Sequence, residues 1–385
     1  MDHGAKVYMS KPVRPDKMEL FVIFRKSNLL LFCIMSFLVR EIFFSASVQG
    51  ESVILGKDDL TGNYVALPMG KKHPFVAWSK DEIANFRTHL YNLDKMYDGA
   101  RYGWHHQQIG PLAKAKRGDP LSAAQVWQVT ADRVMADTAG EYLLKKARHF
   151  NDEVFIGAGH WAAASDLKQS ALVYDLIADS EVLSSDEDKE IKAYLSRALH
   201  LLRSLKPYYG SINNMGVHID ASAWAAALCI EDVDLLKELF QRLKKIIGQG
   251  ILPHGYWYEG TAYGNMVGDW MSDLAEYGDR SDIDLAHLHV KRIALSPKWN
   301  FADSYAQMGE LFTWPFRVIT PFMDIPNIGD GPKPSKLESF RALKTGKYSD
   351  DAELAYGLYM RDVKLDINYD PHKWGDFPLI PMLIR

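Results

Sequence analysis

The chain has 385 residues, of which 47% are hydrophobic and 24% are charged, and its net charge at pH 7 is −4. This composition is typical of a globular protein with one large domain or two ordinary ones. The acidic balance argues against nucleic acid as a partner, because binding a phosphate backbone requires a basic surface. The only two cysteines are Cys33 and Cys229, so we expect no disulfide framework.

Residues 1–50 have the pattern of a targeting segment. Arg25 and Lys26 precede an apolar run over residues 29–39, which is too short to span a bilayer as a helix but suits the hydrophobic region of a signal peptide. We therefore expect residues 1–50 to be a signal peptide, the alternative being a retained N-terminal anchor. The mature protein is then expected to be periplasmic or secreted, without a stable membrane span.

Most of the remaining chain has the residue spacing of amphipathic helices. Ser79 and Glu82 form a capping box, after which apolar residues recur every three or four positions. A helix is predicted over residues 121–150, with a weak point at Gly140. Further helices are predicted at residues 161–178, 185–202, 219–230, 233–247, 261–277, 283–295 and 350–359. No sustained alternation with a period of two predicts strands in the body of the chain.

Successive helices joined by short polar loops are expected to pair as antiparallel hairpins. A long run of such hairpins must bury the apolar face of each helix against neighbours on both sides. The run can stack linearly as a solenoid or close into a double ring of helices. The sequence therefore predicts an all-α fold, and a ring would leave a cleft at one end of its inner helices.

Four blocks, in a fixed order, resemble the α/α-toroid polysaccharide lyases, the alginate lyase and heparinase II/III-like group. They are Gly159-His160-Trp161 with Leu172–Ile177, Asn213-Asn214, Gly255–Tyr263 and Ile325–Asp330. The similarity covers roughly residues 81–331. It implies an incomplete (α/α) toroid of antiparallel helical hairpins, which we expect over residues 51–331.

The region after the toroid departs from the pattern of the resembled family. In that family a β-sandwich domain follows the toroid and often contributes residues to the cleft. Only residues 332–385 follow here, which are too few to build a sandwich. We expect a C-terminal extension or the start of a truncated β-sandwich domain.

The resemblance implies β-elimination on a uronate-containing anionic polysaccharide. Removing the proton on C5 places charge beside a carboxylate, so a neutral donor must hydrogen-bond that carboxylate. Asn214, or its neighbour Asn213, is similar in position to the family's charge-neutralising Asn. Tyr263 matches the family's catalytic Tyr, which takes the proton and then protonates the leaving oxygen. A phenol normally has a pKa of about 10, about three units above neutral pH. We therefore expect a cation beside Tyr263 that lowers the pKa of its phenol.

Met215 marks a departure from the family at the Asn pair. Many members carry His directly after the two asparagines, as base or carboxylate partner. His218 lies three residues further on and shares a helical face with Met215, so we expect it to replace that His in part. The departure favours a mechanism in which Tyr263 is both base and acid, and it leaves an inactive relative open.

Several polar and aromatic residues are candidates for sugar binding. Trp257 has a ring suited to stacking on a sugar, and Glu259 is placed to orient Tyr263 or the sugar. The predicted substrate-binding set is Asn213, His105, His106, His160, Trp161, His254, Trp257 and Glu259. We expect no cofactor, because the sequence has no metal-ligand spacing of His and Cys and no phosphate-cradling glycine loop.

Two other functions remain open from the sequence. One is a toroid glycoside hydrolase acting on uronic oligosaccharides, which would need two positioned carboxylates such as Asp220 with Glu259 or Asp269. The other is a non-catalytic carbohydrate-binding relative. The 10 Trp and 19 Tyr residues suit sugar-stacking surfaces, but they suit a helical core equally well.

Overall fold

The computed structural model describes residues 51–91, 111–206, 208–293, 304–318, 324–325, 328, 335–336 and 348. The chain divides into two compact units, Met1–Glu51 and Ser52–Arg385, and all described residues except Glu51 belong to the second. The predicted signal peptide or anchor, the predicted helix at 350–359 and the candidates His105 and His106 lie outside the described residues.

Helices dominate the described part of the chain. They are α1 Lys80–Tyr91, α2 Pro111–Lys116, α3 Pro120–Thr130, α4 Arg133–Arg148, α5 Asp152–Gly157, α6 Gly159–Ile177, α7 Ser185–Ser204, α8 Asn214–Ile230, α9 Val233–Gly250, α10 Thr261–Arg280 and α11 Met308–Val318. The strands form three antiparallel pairs: β1 Ser52–Lys57 with β2 Tyr64–Pro68, β3 Val290–Lys291 with β4 Tyr305–Ala306, and β5 Asp324–Ile325 with β6 Ser335–Lys336.

The helices α6 and α7 form an antiparallel hairpin. A capping box built by Ser184 starts α7 and satisfies amide groups that have no partner inside the helix. The Tyr174 hydroxyl, near the end of α6, donates to Asp188 near the start of α7 at 2.6 Å. Further back along α6, the hydroxyls of Ser170 and Tyr194 are 3.1 Å apart. The two contacts occur in opposite order along the two helices, so α6 and α7 are antiparallel.

The helices α8 and α9 form the next hairpin. Asp232 is the N-cap of α9, and its N–H donates to the carbonyl of Ala227 at 3.0 Å. At the other end of the hairpin, Arg242 of α9 holds Asp220 of α8 through two nitrogens, at 2.5 to 3.0 Å. Helix α8 is Ala-rich, and almost all of its side chains are buried.

The first helices of successive hairpins run in the same direction. Along α6 and α8, Ser165 lies beside His218 and Ala171 lies beside Cys229, in the same order on both helices. The N–H of Asn214, which starts α8, donates to Glu259, two residues before α10. The His218 ring, one turn along α8, then stacks on Trp270 in the middle of α10, with ring centroids 4.7 Å apart.

Helices α6, α8 and α10 therefore form one parallel layer, and α7 and α9 form a second layer of opposite direction. This is the packing of an incomplete α/α toroid of antiparallel hairpins, and the predicted fold class is confirmed. Since the three helices of the first layer are parallel, their N-termini lie at the same end of the layer. None of the described helices combines the length and the apolar character needed to cross a membrane.

The single helix predicted over residues 121–150 is wrong, because this segment forms two helices. The chain turns at Ala131, which has a φ of 57°, and the Asp132 carboxylate accepts from the Val134 N–H to start α4. Gly140, the predicted weak point, lies inside α4. Its missing side chain leaves room for Val182, which would lie 3.2 Å from a Cβ there.

The helix predicted over residues 283–295 is also wrong. Asp282 has a φ of 61°, and the Asp284 carboxylate accepts from the His287 N–H at 3.1 Å, so these residues form turns that lead into β3. The β1–β2 hairpin was not predicted. Its register shifts between Ile54 and Gly56, and this irregularity breaks the alternation by which a strand is recognised in a sequence.

Candidate active site

The N-terminal ends of α6, α8 and α10 carry most of the predicted site residues. His160 and Trp161 lie in the first turn of α6, Asn214 begins α8, and Tyr263 lies in the first turn of α10. Since these helices are parallel neighbours, the three ends share one side of the first layer. The toroid thus assembles residues that are about 100 positions apart in sequence, as the order of the blocks predicts.

Asn213 is the N-cap of α8. Its side-chain oxygen accepts from the Gly216 N–H at 3.0 Å and from the Ser211 hydroxyl at 2.7 Å. A cap of this kind satisfies one of the amides at a helix start that have no partner within the helix. Of the two asparagines left open by the sequence, Asn213 is thus the one whose side-chain oxygen caps the helix.

Asn214 follows as the first residue of α8 and is only 7% exposed. Its main-chain N–H donates to Glu259 Oε2 at 2.7 Å. Its side-chain amide makes no hydrogen bond to any residue in the described ranges. Neither atom of this amide is among the fully buried polar atoms without a partner, so the amide reaches solvent and is available to a ligand carboxylate.

Trp257 is only 1% exposed, which corrects its prediction as a stacking platform for sugar. A Cβ on Gly250 would clash with the indole, and a Cβ on Gly264 would lie 3.1 Å from the Trp257 Cβ. The two glycines thus leave the space that this side chain fills. Its Nε1 donates to Glu259 Oε2 at 3.0 Å, so Trp257 supports the site from inside.

Tyr263 follows a tight entry into α10. Gly260 precedes the helix with a φ of 115°, a conformation that favours glycine. Thr261 exchanges hydrogen bonds with the main chain of Ile328, at 2.9 and 3.1 Å, which places part of the Ile325–Asp330 block beside this helix start. Tyr263 is half-buried, and its hydroxyl has neither a hydrogen-bond partner nor a cation in contact among the described residues.

His218 is packed between aromatic rings and is 4% exposed. Its ring centroid lies 4.7 Å from that of Trp270 and 4.5 Å from that of Trp161. Its Nε2 is 3.4 Å from the Ser165 hydroxyl, and its buried Nδ1 has no partner in the described structure. The packing closes off the ring from solvent.

The pKa of His218 is lowered to about 4, mainly by burial, with a smaller lowering by the positive charge of Lys168 that Asp273 opposes. Lys168 and Asp273 form an ion pair between α6 and α10. His218 is therefore neutral at pH 7. Its burial argues against the expectation that it acts as a general base in place of the family's His.

Replacing His218 by Gln is expected to reduce the acid sensitivity of the fold. Above pH 6.5 the ring is neutral in both states and adds no pH dependence. Between pH 6.5 and about 4 only the unfolded chain binds the proton, so wild-type stability falls as the pH falls. From pH 7 to 4.5, the free energy of unfolding should fall by about 2 kcal/mol more in the wild type than in His218→Gln. Urea unfolding at both pH values measures this difference, and equal losses would contradict it.

Of the remaining described candidates, two lie in the first turn of α6 and His254 lies in the segment between α9 and α10. His160 stacks on Tyr208, with ring centroids 3.9 Å apart. Trp161 is 42% exposed and packs edge-to-face on Trp270 at 5.3 Å, so it offers an aromatic surface to solvent. His254 is exposed, with a φ of 71°. Sequence reasoning missed Trp270, although its position seven residues after Tyr263, two helical turns, is a usable signal.

Two of the carboxylates considered for hydrolysis, Asp220 and Glu259, are held by other residues. Asp220 is 3% exposed and bound to Arg242, and burial raises its pKa to about 7 against the effect of that guanidinium. It lies six residues after Asn214, so it points to a different side of α8. Glu259 is held by Asn214 and Trp257. Within the described ranges, no three His, Cys, Asp or Glu residues are arranged to hold a metal.

No protein-family model and no curated protein matches the chain. Among solved structures, it is similar to a variant of alginate lyase A1-III complexed with a tetrasaccharide, at 13% identity, with 72% of this chain and 81% of that chain covered and a TM-score of 0.46. A Bacteroides ovatus alginate lyase is 14% identical, with 71% and 74% covered and a TM-score of 0.43.

A second A1-III variant with tetrasaccharide is 16% identical, with 54% of this chain covered and a TM-score of 0.42; the chain spans 57% of the length of that structure. All three of these structures are alginate lyases.

Proposed function

We propose that the chain is a polysaccharide lyase that cleaves a uronate-containing anionic polysaccharide by β-elimination. The proposal depends above all on the hydrogen bond from the Asn214 N–H to Glu259. This bond brings the amide of Asn214 beside the segment that leads into Tyr263. The two polar groups have no partners in the described structure, as expected of groups that bind a substrate.

Asn214 is proposed to neutralise the substrate carboxylate. Its Nδ2 group donates a hydrogen bond to the uronate and carries no charge of its own. As the C5 proton leaves, negative charge moves onto that carboxylate, and a donor already in place stabilises the charge without reorganising. The low exposure of Asn214 strengthens the interaction, because water screens it less.

Tyr263 is proposed to act first as the base and then as the acid. The tyrosinate removes the C5 proton, and the electrons of the C–H bond form the C4=C5 double bond. The bond from C4 to the glycosidic oxygen breaks, and this oxygen receives the proton from the Tyr263 phenol. The tyrosinate is thereby restored, so one side chain completes the proton cycle when both events occur on the same face of the sugar.

The two alternative functions would require other residues at the site. A hydrolase would need two available carboxylates about 5 to 10 Å apart, and the ion pair of Asp220 with Arg242 leaves one of the predicted carboxylates occupied. A non-catalytic binding protein would use the exposed Trp161 ring without requiring Tyr263. Neither alternative explains a partly buried amide and a phenol at adjacent helix starts.

Absorbance of the product separates these functions. The C4=C5 double bond formed by elimination absorbs ultraviolet light, whereas hydrolysis creates reducing ends without absorbance. The protein should be incubated with alginate, heparan, chondroitin, hyaluronan and ulvan, and both signals should be followed. A rise in absorbance on at least one polymer is expected. Reducing ends alone would indicate the hydrolase, and binding alone the non-catalytic relative.

A polymeric substrate also fits the targeting pattern of residues 1–50. We propose that the mature protein acts in the periplasm or after secretion, where such polysaccharides are accessible. Fusing residues 1–50 to a reporter enzyme that is active only outside the cytoplasm tests this localisation. An inactive reporter would contradict it.

A further inference from the structure

We infer that Glu259 is a positioning residue, whose carboxylate oxygen holds Asn214 in register with Tyr263. This inference builds on the proposed function, which uses those two side chains. It assigns Glu259 a different role from the one that the sequence suggests, which is to orient the sugar or the phenol. The role is carried by two hydrogen bonds that meet at one oxygen atom.

Glu259 Oε2 accepts from the Asn214 N–H at 2.7 Å and from Trp257 Nε1 at 3.0 Å. The Asn214 N–H lies at the start of α8, where amides have no partner within the helix. Since Asn214 is almost fully buried, losing this acceptor would leave a buried donor unsatisfied. A carboxylate is also favoured at this end of a helix by the helix dipole.

Trp257 gives the carboxylate a rigid support. The indole is fully buried, with Gly250 and Gly264 on its surfaces. The loop around it is closed by main-chain bonds, including Tyr258 N–H to the Gly250 carbonyl at 3.1 Å. The indole N–H therefore holds the Glu259 oxygen at a defined position relative to the end of α9.

The same segment continues directly into the first turn of α10. The Gly260 N–H donates to the Trp257 carbonyl at 3.0 Å, and the Gly264 N–H donates to the Gly260 carbonyl at 2.9 Å. Tyr263 lies within that turn, so its backbone is tied to the backbone of Glu259. A shift of Glu259 away from Asn214 would thus change the separation of the amide and the phenol.

The role requires an acceptor atom and does not require a negative charge. Glu259 → Gln keeps a side-chain oxygen that can accept from Asn214, whereas Glu259→Ala removes it. We expect Glu259→Gln to keep kcat within about tenfold of the wild type. Glu259→Ala should lower kcat by about 100-fold, the cost of a displacement of about 1 Å in a catalytic group, with a much smaller change in KM.

Asp232→Ala is a matched control for lost stability. Asp232 caps α9 by accepting from the Leu235 N–H at 3.0 Å, and it lies at the opposite end of α8 from Asn214. Its removal deletes the same kind of bond at a helix start. We expect a lowered Tm of similar size to that of Glu259→Ala, with kcat unchanged at temperatures well below the transition.

Amide hydrogen exchange and kinetics together decide the inference. Glu259→Ala should speed exchange at the start of α8, and Glu259→Gln should do so much less. If Glu259→Gln is as inactive as Glu259→Ala while both keep wild-type exchange, the charge itself acts on the substrate and the inference is wrong. Wild-type kcat in Glu259→Ala would also overturn it. If the wild type produces no absorbance on any polymer, the proposed lyase activity fails, and exchange still decides whether Glu259 holds α8.

Discussion

Tyr263→Phe is expected to lower kcat by about 10² to 10⁴-fold, the range for losing a general acid or base. The phenol is proposed to carry the proton from C5 to the leaving oxygen, and phenylalanine can do neither step. The hydroxyl has no partner in the described structure, and phenylalanine preserves the half-buried ring. The variant should therefore keep a Tm close to that of the wild type. Initial rates of absorbance give kcat, and calorimetric titration with the polymer should give a nearly unchanged Kd.

Tyr258→Phe is the matched control for the loss of a phenol near the site. Tyr258 lies in the loop that leads into α10, and its pKa is raised to about 12, mainly by burial and further by Glu259. A phenol with this pKa is a poorer source of tyrosinate at neutral pH. We expect Tyr258→Phe to stay within about threefold of wild-type kcat. If Tyr263→Phe keeps its activity and Tyr258→Phe loses it, Tyr258 and not Tyr263 is the base and acid.

The hairpin architecture was predictable because its signals are local. N-terminal caps and the 3.6-residue spacing of apolar side chains locate most helices, and short connections make neighbours antiparallel. The wrongly predicted single helix over residues 121–150 also has a local cause. The left-handed conformation of Ala131 ends α3 at a residue that ordinarily favours helix, so no glycine or proline marks the break.

Helix α8 begins earlier in the structure than the sequence predicts. The sequence predicts a loop at Asn213-Asn214 and a helix only from residue 219. Gly216, which has low helix propensity, precedes that predicted start. In the structure, α8 begins at Asn214. A Cβ on Gly216 would overlap the Ser211 carbonyl, so the glycine permits the loop to close over the helix start.

The burial of single aromatic residues could not be predicted from their neighbours in sequence. Trp257 occupies a glycine-rich loop that resembles an exposed binding loop, yet it fills the space beside Gly250 and Gly264. His218 is polar, but its surroundings come from Trp161 and Trp270 on two other helices. Both environments depend on tertiary packing, and no periodic pattern within one segment encodes them.

Asn214→Ala is expected to lower kcat by about 10² to 10³-fold, as for the removal of one donor from a site that stabilises developing charge. The substrate carboxylate would then face the growing negative charge without a neutral donor. Asn214→Asp should be worse than Asn214→Ala, because a carboxylate repels the uronate. The helix dipole favours Asp at this position, whereas the neighbouring Glu259 carboxylate disfavours a second negative charge, so the Tm of Asn214→Asp should be measured together with its kcat.

Asn213→Ser separates the catalytic asparagine from the capping one. Serine caps helices about as well as asparagine, so it preserves the bond to the Gly216 N–H and removes the side-chain amide. If Asn213 only caps α8, its serine variant should retain kcat within about threefold of the wild type. A large loss there, combined with wild-type rates in Asn214→Ala, would mean that Asn213 carries the amide that meets the substrate. The two positions together thus test whether the buried first residue of α8, rather than its cap, neutralises the uronate.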